Sequence, residues 1–157
     1  MSNTVNIIFA GLGGQGVLTA TDVLAAALFA GDYDVKKSEV HGMSQRGGSV
    51  SSEVRFGSAV ASPMIPEGEA DYLVVIDSTQ VEVNRSKLKH SGVLITPDMV
   101  DAGLLGNKKA INIALLGVLS TYLDIPEERW IAAIKSELPA KIHDVNLAAF
   151  ALGKQAR

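Results

Sequence analysis

The chain has 157 residues, a formal net charge of −3, 47% hydrophobic and 20% charged residues. That length supports one domain with a sizeable core and is too short for two, and the composition is that of an ordinary soluble globular protein. So small a charge, with only 5% aromatics, gives no sign of the basic surface or base-stacking platform of a nucleic-acid binder.

Cysteine is missing altogether. That excludes a disulfide framework, a thiolate nucleophile and a zinc–thiolate site. Iron–sulfur clusters are normally held by cysteine thiolates, so any cluster that works with this chain is expected on another one. No apolar run reaches the roughly 18 residues of a bilayer span. The start, Met1-Ser2-Asn3-Thr4, lacks the basic and apolar regions of a secretory signal, and a cytoplasmic location is expected.

In chain order, Val5 to Ala10 is apolar apart from Asn6 and predicts a strand buried on both faces. Gly11-Leu12-Gly13-Gly14-Gln15-Gly16 follows as a loop, and Val17 to Ala30 as a helix with Val17, Ala20, Leu24, Ala27 and Leu28 on one face. Asp34 to Val40, Ser49 to Phe56 and Asp71 to Asp77 predict three further strands. A helical stretch through Leu88 then leads to a last strand, Gly92 to Thr96. The C-terminal third reads as helical. Ile111, Ala114, Leu115, Val118, Leu119 and Tyr122 form an apolar stripe. Asp124-Ile125-Pro126-Glu127 has the form of a capping box with proline in the first turn, opening a helix that would bury Trp130, Ile131, Ile134 and Leu138. After Pro139 a final helix runs from Lys141 with Leu147, Phe150 and Ala151 inward. The fold class expected is α/β: a three-layer, Rossmann-like domain spanning residues 1–157, with a largely parallel, mixed sheet and a helical C-terminal third.

Gly11, Gly13 and Gly16 fit G-x-G-x-x-G between a strand and a helix. Such a loop lets backbone N–H groups and the helix dipole meet an anion; alternatively, the glycines only let the helix pack tightly on the sheet. Gly11, Gly13, Gly14, Gln15 and Gly16 are the candidate cofactor-binding residues. A full dinucleotide site is not expected. Glu39 stands about where a ribose-binding acid would, but the chain from there to Ser49 is too short for a parallel crossover. Strands two and three are therefore expected as an antiparallel pair. A second loop, His41-Gly42-Met43-Ser44-Gln45-Arg46-Gly47-Gly48, could carry the Arg46 guanidinium to a carboxylate or phosphate, or leave it in solvent.

The two loops together, with Ser38-Glu39-Val40 leading into the second and Ser49-Val50 out of it, resemble the gamma-type domain of the 2-oxoacid:ferredoxin oxidoreductases. The wording Glu-Val-His-Gly-Met-Ser-Gln-Arg-Gly-Gly is similar to that of the beta subunit of the indolepyruvate enzymes in particular. Asp71 to Asp77, Leu105 through Gly117 and Leu147 through Gly153 match as well, whereas Thr79 to Leu105 is shorter than in those subunits. The resemblance implies a small subunit with no catalytic residue of its own. Thiamine diphosphate with magnesium and the [4Fe-4S] clusters would sit on larger partner chains. A 2-oxoacid, such as an aryl pyruvate, would become an acyl-coenzyme A, with electrons passing to ferredoxin. The glycine loop would then contact a phosphate-bearing group of coenzyme A. His41, Met43, Ser44, Gln45, Arg46, Gly47 and Gly48 would face a partner or its substrate.

The three histidines, His41, His90 and His143, show no metal-ligand spacing. Ser44 lacks the strand–turn–helix elbow of a hydrolase nucleophile. Asp77 stands at a strand end, where open α/β sheets place ligands, or caps the next helix. Asn107 has the place of a helix cap.

Overall fold

The computed structural model describes residues 4–41 and 48–156, without the side chain of His41. Five strands form one sheet in the order β2-β3-β1-β4-β5. β1 (Val5–Leu12) lies at its centre, parallel to β4 (Ala70–Val75), which in turn runs parallel to β5 (Leu88–Ile95). β2 (Asp34–His41) and β3 (Ser49–Gly57) form the expected antiparallel pair, and β3 lies antiparallel against β1. Four strands thus share one direction and β3 opposes them, giving the largely parallel but mixed sheet.

One face of the sheet carries the main core. Ile7 and Phe9 of β1, Val54 and Phe56 of β3, and Val74 of β4 pack there against α1 (Val17–Phe29), α3 (Ile111–Ser120), α4 (Glu127–Glu137) and α5 (His143–Gln155). The alternate residues Ile8, Ala10, Leu73 and Val75 face the other way under Ile65, Val81 and Leu94. This second covering is thin: the chain from 58 to 69 and the single turn α2 (Val81–Asn84). Polar ties hold it, with Arg55 Nε donating to Asn6 Oδ1 at 2.8 Å and the Ile65 N–H to Glu53 Oε1 at 3.0 Å. No helix among the described residues is long and apolar enough to cross a membrane.

Several boundaries differ from the sequence reading. β1 runs on through Gly11 and Leu12, because these pair with Val50 and Ser49 of β3. β4 ends at Val75, and Asp77 turns off as a cap while the Ile76 N–H still donates to the Ala10 carbonyl at 2.8 Å. The predicted helical stretch shrinks to α2 between two 3-10 turns, since Leu88 already pairs with Ala70 and opens β5. The capping box does not form. Pro126 is the N-cap of α4 without a side-chain bond, and the Glu127 carboxylate pairs with Lys154 of α5 instead. Trp130 and Ile134 are buried as expected, Ile131 and Leu138 only partly. α5 begins at His143, after a 3-10 turn, and Ala151 is exposed; Ala149, Phe150 and Gly153 are buried positions. α3 carries more than a stripe, with Asn112 through Ser120 all buried. It runs between the sheet and α5, and its contact with α5 is close enough that a methyl on Gly153 would overlap the Ala114 carbonyl oxygen.

Candidate functional site

β1 and α1 meet in the glycine loop. Gly14 and Gly16 have φ of 89° and 80°, a left-handed backbone that side chains disfavour. Gly16 also has no room: a Cβ would overlap the amide of Asn112 on α3, whose Nδ2 donates to the Gly16 carbonyl at 3.1 Å. Gln15 ties the loop to the end of β4. Its Oε1 accepts the Leu12 N–H at 2.7 Å, and its Nε2 donates to Asp77 Oδ2 at 2.8 Å. The other Asp77 oxygen accepts the Thr79 hydroxyl at 2.6 Å and the Thr79 N–H at 3.0 Å. The Thr79 hydroxyl first, then the Gln15 amide and the Thr79 N–H, hold the Asp77 carboxyl below the usual carboxylate range. Asp77 is therefore a cap and a loop anchor at once.

The amide hydrogens of the loop divide into two sets. Leu12, Gly13 and Gln15 spend theirs inside the protein, on Gln15 Oε1, the Gly48 carbonyl (2.9 Å) and the Leu12 carbonyl (3.1 Å). Those of Gly14, Gly16, Val17, Leu18 and Thr19 carry no hydrogen bond among the described residues. The first turn of α1 has neither a side-chain cap nor an acidic residue. Unpaired N–H groups at the positive end of a 13-residue helix favour an anion. They open on a cleft of about 270 Å³ lined by Leu12, Gly13, Gly14, Gly16 to Thr19, and Val50.

The second loop begins and ends beside the first. His41 pairs with Val50 at the end of β2, and Gly48 accepts the Gly13 N–H. Met43, Ser44, Gln45, Arg46 and Gly47, with Gly42, lie outside the described residues. The described ends of the second motif, His41 and Gly48, thus lie near the glycine loop at the carboxyl end of β1. Glu39 lies elsewhere: β3 separates its strand from β1, and Lys37 Nζ donates to its carboxylate at 3.1 Å. Asn107 caps the turn leading into α3, accepting the Lys109 N–H at 2.9 Å. His143 Nε2 lies 2.7 Å from the Leu138 carbonyl at the end of α4. No group of three or more His, Asp or Glu among the described residues is placed to hold a metal ion.

The model of the pyruvate ferredoxin/flavodoxin oxidoreductase family matches residues 6–102 and 97–156. The chain belongs to that family. Among curated members it is similar to the indolepyruvate oxidoreductase subunit IorB of Thermococcus kodakarensis, at 34% identity over 96% of this chain and 95% of the relative. The pyruvate synthase subunit PorC of Methanothermobacter marburgensis is 28% identical over 92% of this chain and 93% of its own. In fold it matches the gamma subunit of a keto/oxoacid ferredoxin oxidoreductase from Geobacter sulfurreducens, with TM-score 0.79, 21% identity and coverage of 99% and 97%. It also matches 31% of a chain of the 2-oxoglutarate:ferredoxin oxidoreductase from Magnetococcus marinus, with TM-score 0.81 and 20% identity over 99% of this chain; that structure holds 2-oxoglutarate, coenzyme A and succinyl-CoA. The alignment with IorB spans 191 positions against a chain of 157, so at least 34 residues of the relative have no counterpart here. The two pieces of the family match meet at residues 97–102, inside the stretch that reads as short.

Asn112 carries no motif in the sequence. Its one signal is an amide in an otherwise apolar helix, which has to find a buried partner.

Proposed function

We infer that this chain is the small, gamma-type subunit of a thiamine diphosphate-dependent 2-oxoacid:ferredoxin oxidoreductase in the cytoplasm. Residues 1–157 form one gamma-type domain whose glycine loop receives a phosphate group of coenzyme A. The observation that carries the reading is the set of N–H groups of Gly14, Gly16, Val17, Leu18 and Thr19, unpaired among the described residues and beside a cleft. Family membership supplies the reaction class. The resemblance of the second loop to the indolepyruvate subunits, and the match to IorB, favour an aryl pyruvate as the oxoacid.

The residues present suit a phosphate and not a cluster: the loop offers amide hydrogens, and the chain has no thiolate. The decarboxylation chemistry, when thiamine diphosphate and magnesium are bound, belongs to the larger partner chains, as do the [4Fe-4S] clusters that pass electrons to ferredoxin. In this reading the present chain binds, orients and encloses, and is inactive alone. Exposed Val40 and Val83, which flank a shallow cleft with Ser49 and Ser51 beside the second loop, support a partner on that side. Arg46 and its neighbours would meet the partner there, as anion contact or anchor.

A stand-alone dinucleotide oxidoreductase is disfavoured by β3, which stands between the glycine loop and the strand that would carry the ribose-binding acid. Affinity capture from the native cell separates the two. A co-purifying large chain that carries thiamine diphosphate and clusters is expected. A chain that purifies alone and binds NAD or FAD tightly would contradict the reading.

A further inference from the structure

The sheet ends in two edge strands, β2 and β5, and they differ. β5 is broken between Leu88 and Val93, where its register on β4 shifts, and it exposes His90 and Ser91 there. β2 pairs with β3 without a break from Asp34 to His41 and holds neither proline nor glycine. No strand lies on its outer side among the described residues. Natural edges are kept from pairing by breaks, prolines and charged side chains, lysine above all. β2 has no break and no proline, and its charges are already matched. Lys36 Nζ lies 2.9 Å from Asp34 Oδ1, and Lys37 pairs with Asp22 of α1 and, at 3.1 Å, with Glu39.

The alternation of side chains assigns the faces of β2. Val35 belongs to the main core and Lys37 reaches Asp22, so Val35, Lys37 and Glu39 face α1. Asp34, Lys36, Ser38 and Val40 face the thin side, where Asp34 Oδ2 accepts the Val60 N–H at 2.8 Å. A second copy can add to this edge antiparallel about a two-fold axis normal to the sheet. Such an axis keeps each face on its own side, and therefore sets one residue opposite itself. Through Lys37 it would oppose two lysines, and through Glu39 two glutamates. Through Ser38 it sets Lys37 of each copy opposite Glu39 of the other, and the stem of Lys36 beside Val40, which is 52% exposed. Of these three registers only the last is complementary. On the α1 face, Ala25, Ala26, Val35 and the exposed ring of Phe29 line a groove of about 280 Å³ beside the strand, apolar surface that a copy joined at this edge would cover.

We propose that β2 is a self-association edge, on which a second copy of this chain pairs antiparallel about Ser38 to join the two sheets into one. β3 stands between this joint and the glycine loop of the same copy. The two-fold axis sends the two glycine loops to opposite ends of the joined sheet, so each stays open to its own partner. The joint is independent of what those loops bind. One strand from each copy is a small contact beside the roughly 1,600 Å² of a standard stable interface, so the dimer dissociates on dilution.

The test is sedimentation of the full chain over a dilution series, with Lys37→Glu and Glu39→Lys alongside. Each variant sets like charges opposite one another at both cross-strand pairs and is expected to weaken the dimer by roughly tenfold or more. An equal mixture of the two should restore it, because each copy then meets its opposite. The chain has no cysteine, and residues directly opposite in antiparallel strands lie about 4.5–5.5 Å apart at Cα, within reach of a disulfide. Mild oxidation should therefore join two copies of Ser38→Cys at least about tenfold faster than two copies of Ser91→Cys, placed on the other edge. In the parent, hydrogen exchange of β2 amides should slow as concentration rises while that of β5 does not, which keeps the test decisive where a variant folds poorly. A monomer at every concentration would overturn the proposal. So would a dimer that protects no amide of β2 and ignores both charge variants.

Discussion

Gly117 and Gly153 lie where α3 and α5 touch, and Gly14 and Gly16 lie where β1 turns into α1. The helix pair is there for lack of space. A methyl on Gly117 would overlap the Phe150 carbonyl oxygen, and one on Gly153 the Ala114 carbonyl oxygen, with Val118 N only 3.0 Å away. Both obstacles are backbone, which cannot swing aside. The loop pair is there for backbone shape, since both residues have positive φ, and no described residue would crowd a side chain at Gly14. Close packing leaves nothing for a ligand at the first pair, whereas the second leaves five amide hydrogens unpaired among the described residues. Absence of a side chain serves stability in one region and binding in the other, and substitutions should separate the two.

Gly153→Ala carries the largest expected effect. The overlap is with main-chain atoms inside a packed core, so the loss is expected to reach about 3 kcal/mol or to prevent folding, read as the urea midpoint. Gly16→Ala comes next, at about 1–3 kcal/mol from the disfavoured φ with the conflict at Asn112 added. Unlike Gly153→Ala, the folded fraction should lose coenzyme A affinity, by at least about tenfold if the first turn of α1 shifts. Gln15→Ala removes the acceptor of the Leu12 N–H and the donor to Asp77, a loss of about 1–2 kcal/mol. Hydrogen exchange at Leu12 should quicken while that of α5 stays unchanged.

The smallest effect is in pH. The folded-state value of Asp77 is lowered by its bonds to Thr79 and Gln15. Its stabilising contribution is therefore full above the unfolded value of about 3.9 and is lost as pH falls through the lower, folded value. Asp77→Asn should lower the melting temperature slightly near neutrality, and the difference from the parent should shrink in melts taken below about pH 4.

Legibility in the sequence divides along the same line. Local signals were legible: the buried run of β1, the glycine spacing, and a β2–β3 connection too short for a crossover. The two loops could be read as motifs but not as neighbours, because β3's place between β2 and β1 is a long-range pairing with no local mark. Asp124 failed as a cap because α4 starts only at Glu127, with Pro126 as its N-cap, and Glu127 pairs with Lys154, 27 residues away. Ala151 failed as a core residue because α5 turns the backbone of Gly153 to α3. Gly117 and Gly153, two glycines inside helices, were a signal of close approach that the sequence reading left unused.

The central claim, that this chain completes an oxidoreductase through its glycine loop, is tested most directly by reconstitution. Reduction of a viologen dye that depends on both oxoacid and coenzyme A would be monitored with the large partner chains alone, with this chain alone, and with the two combined, using the parent and Gly16→Ala. The account predicts no turnover by this chain alone, full coenzyme A-dependent turnover with the parent added, and a raised coenzyme A requirement with a folded Gly16→Ala. Turnover by this chain alone, or equal coenzyme A dependence whether or not it is present, would contradict the account.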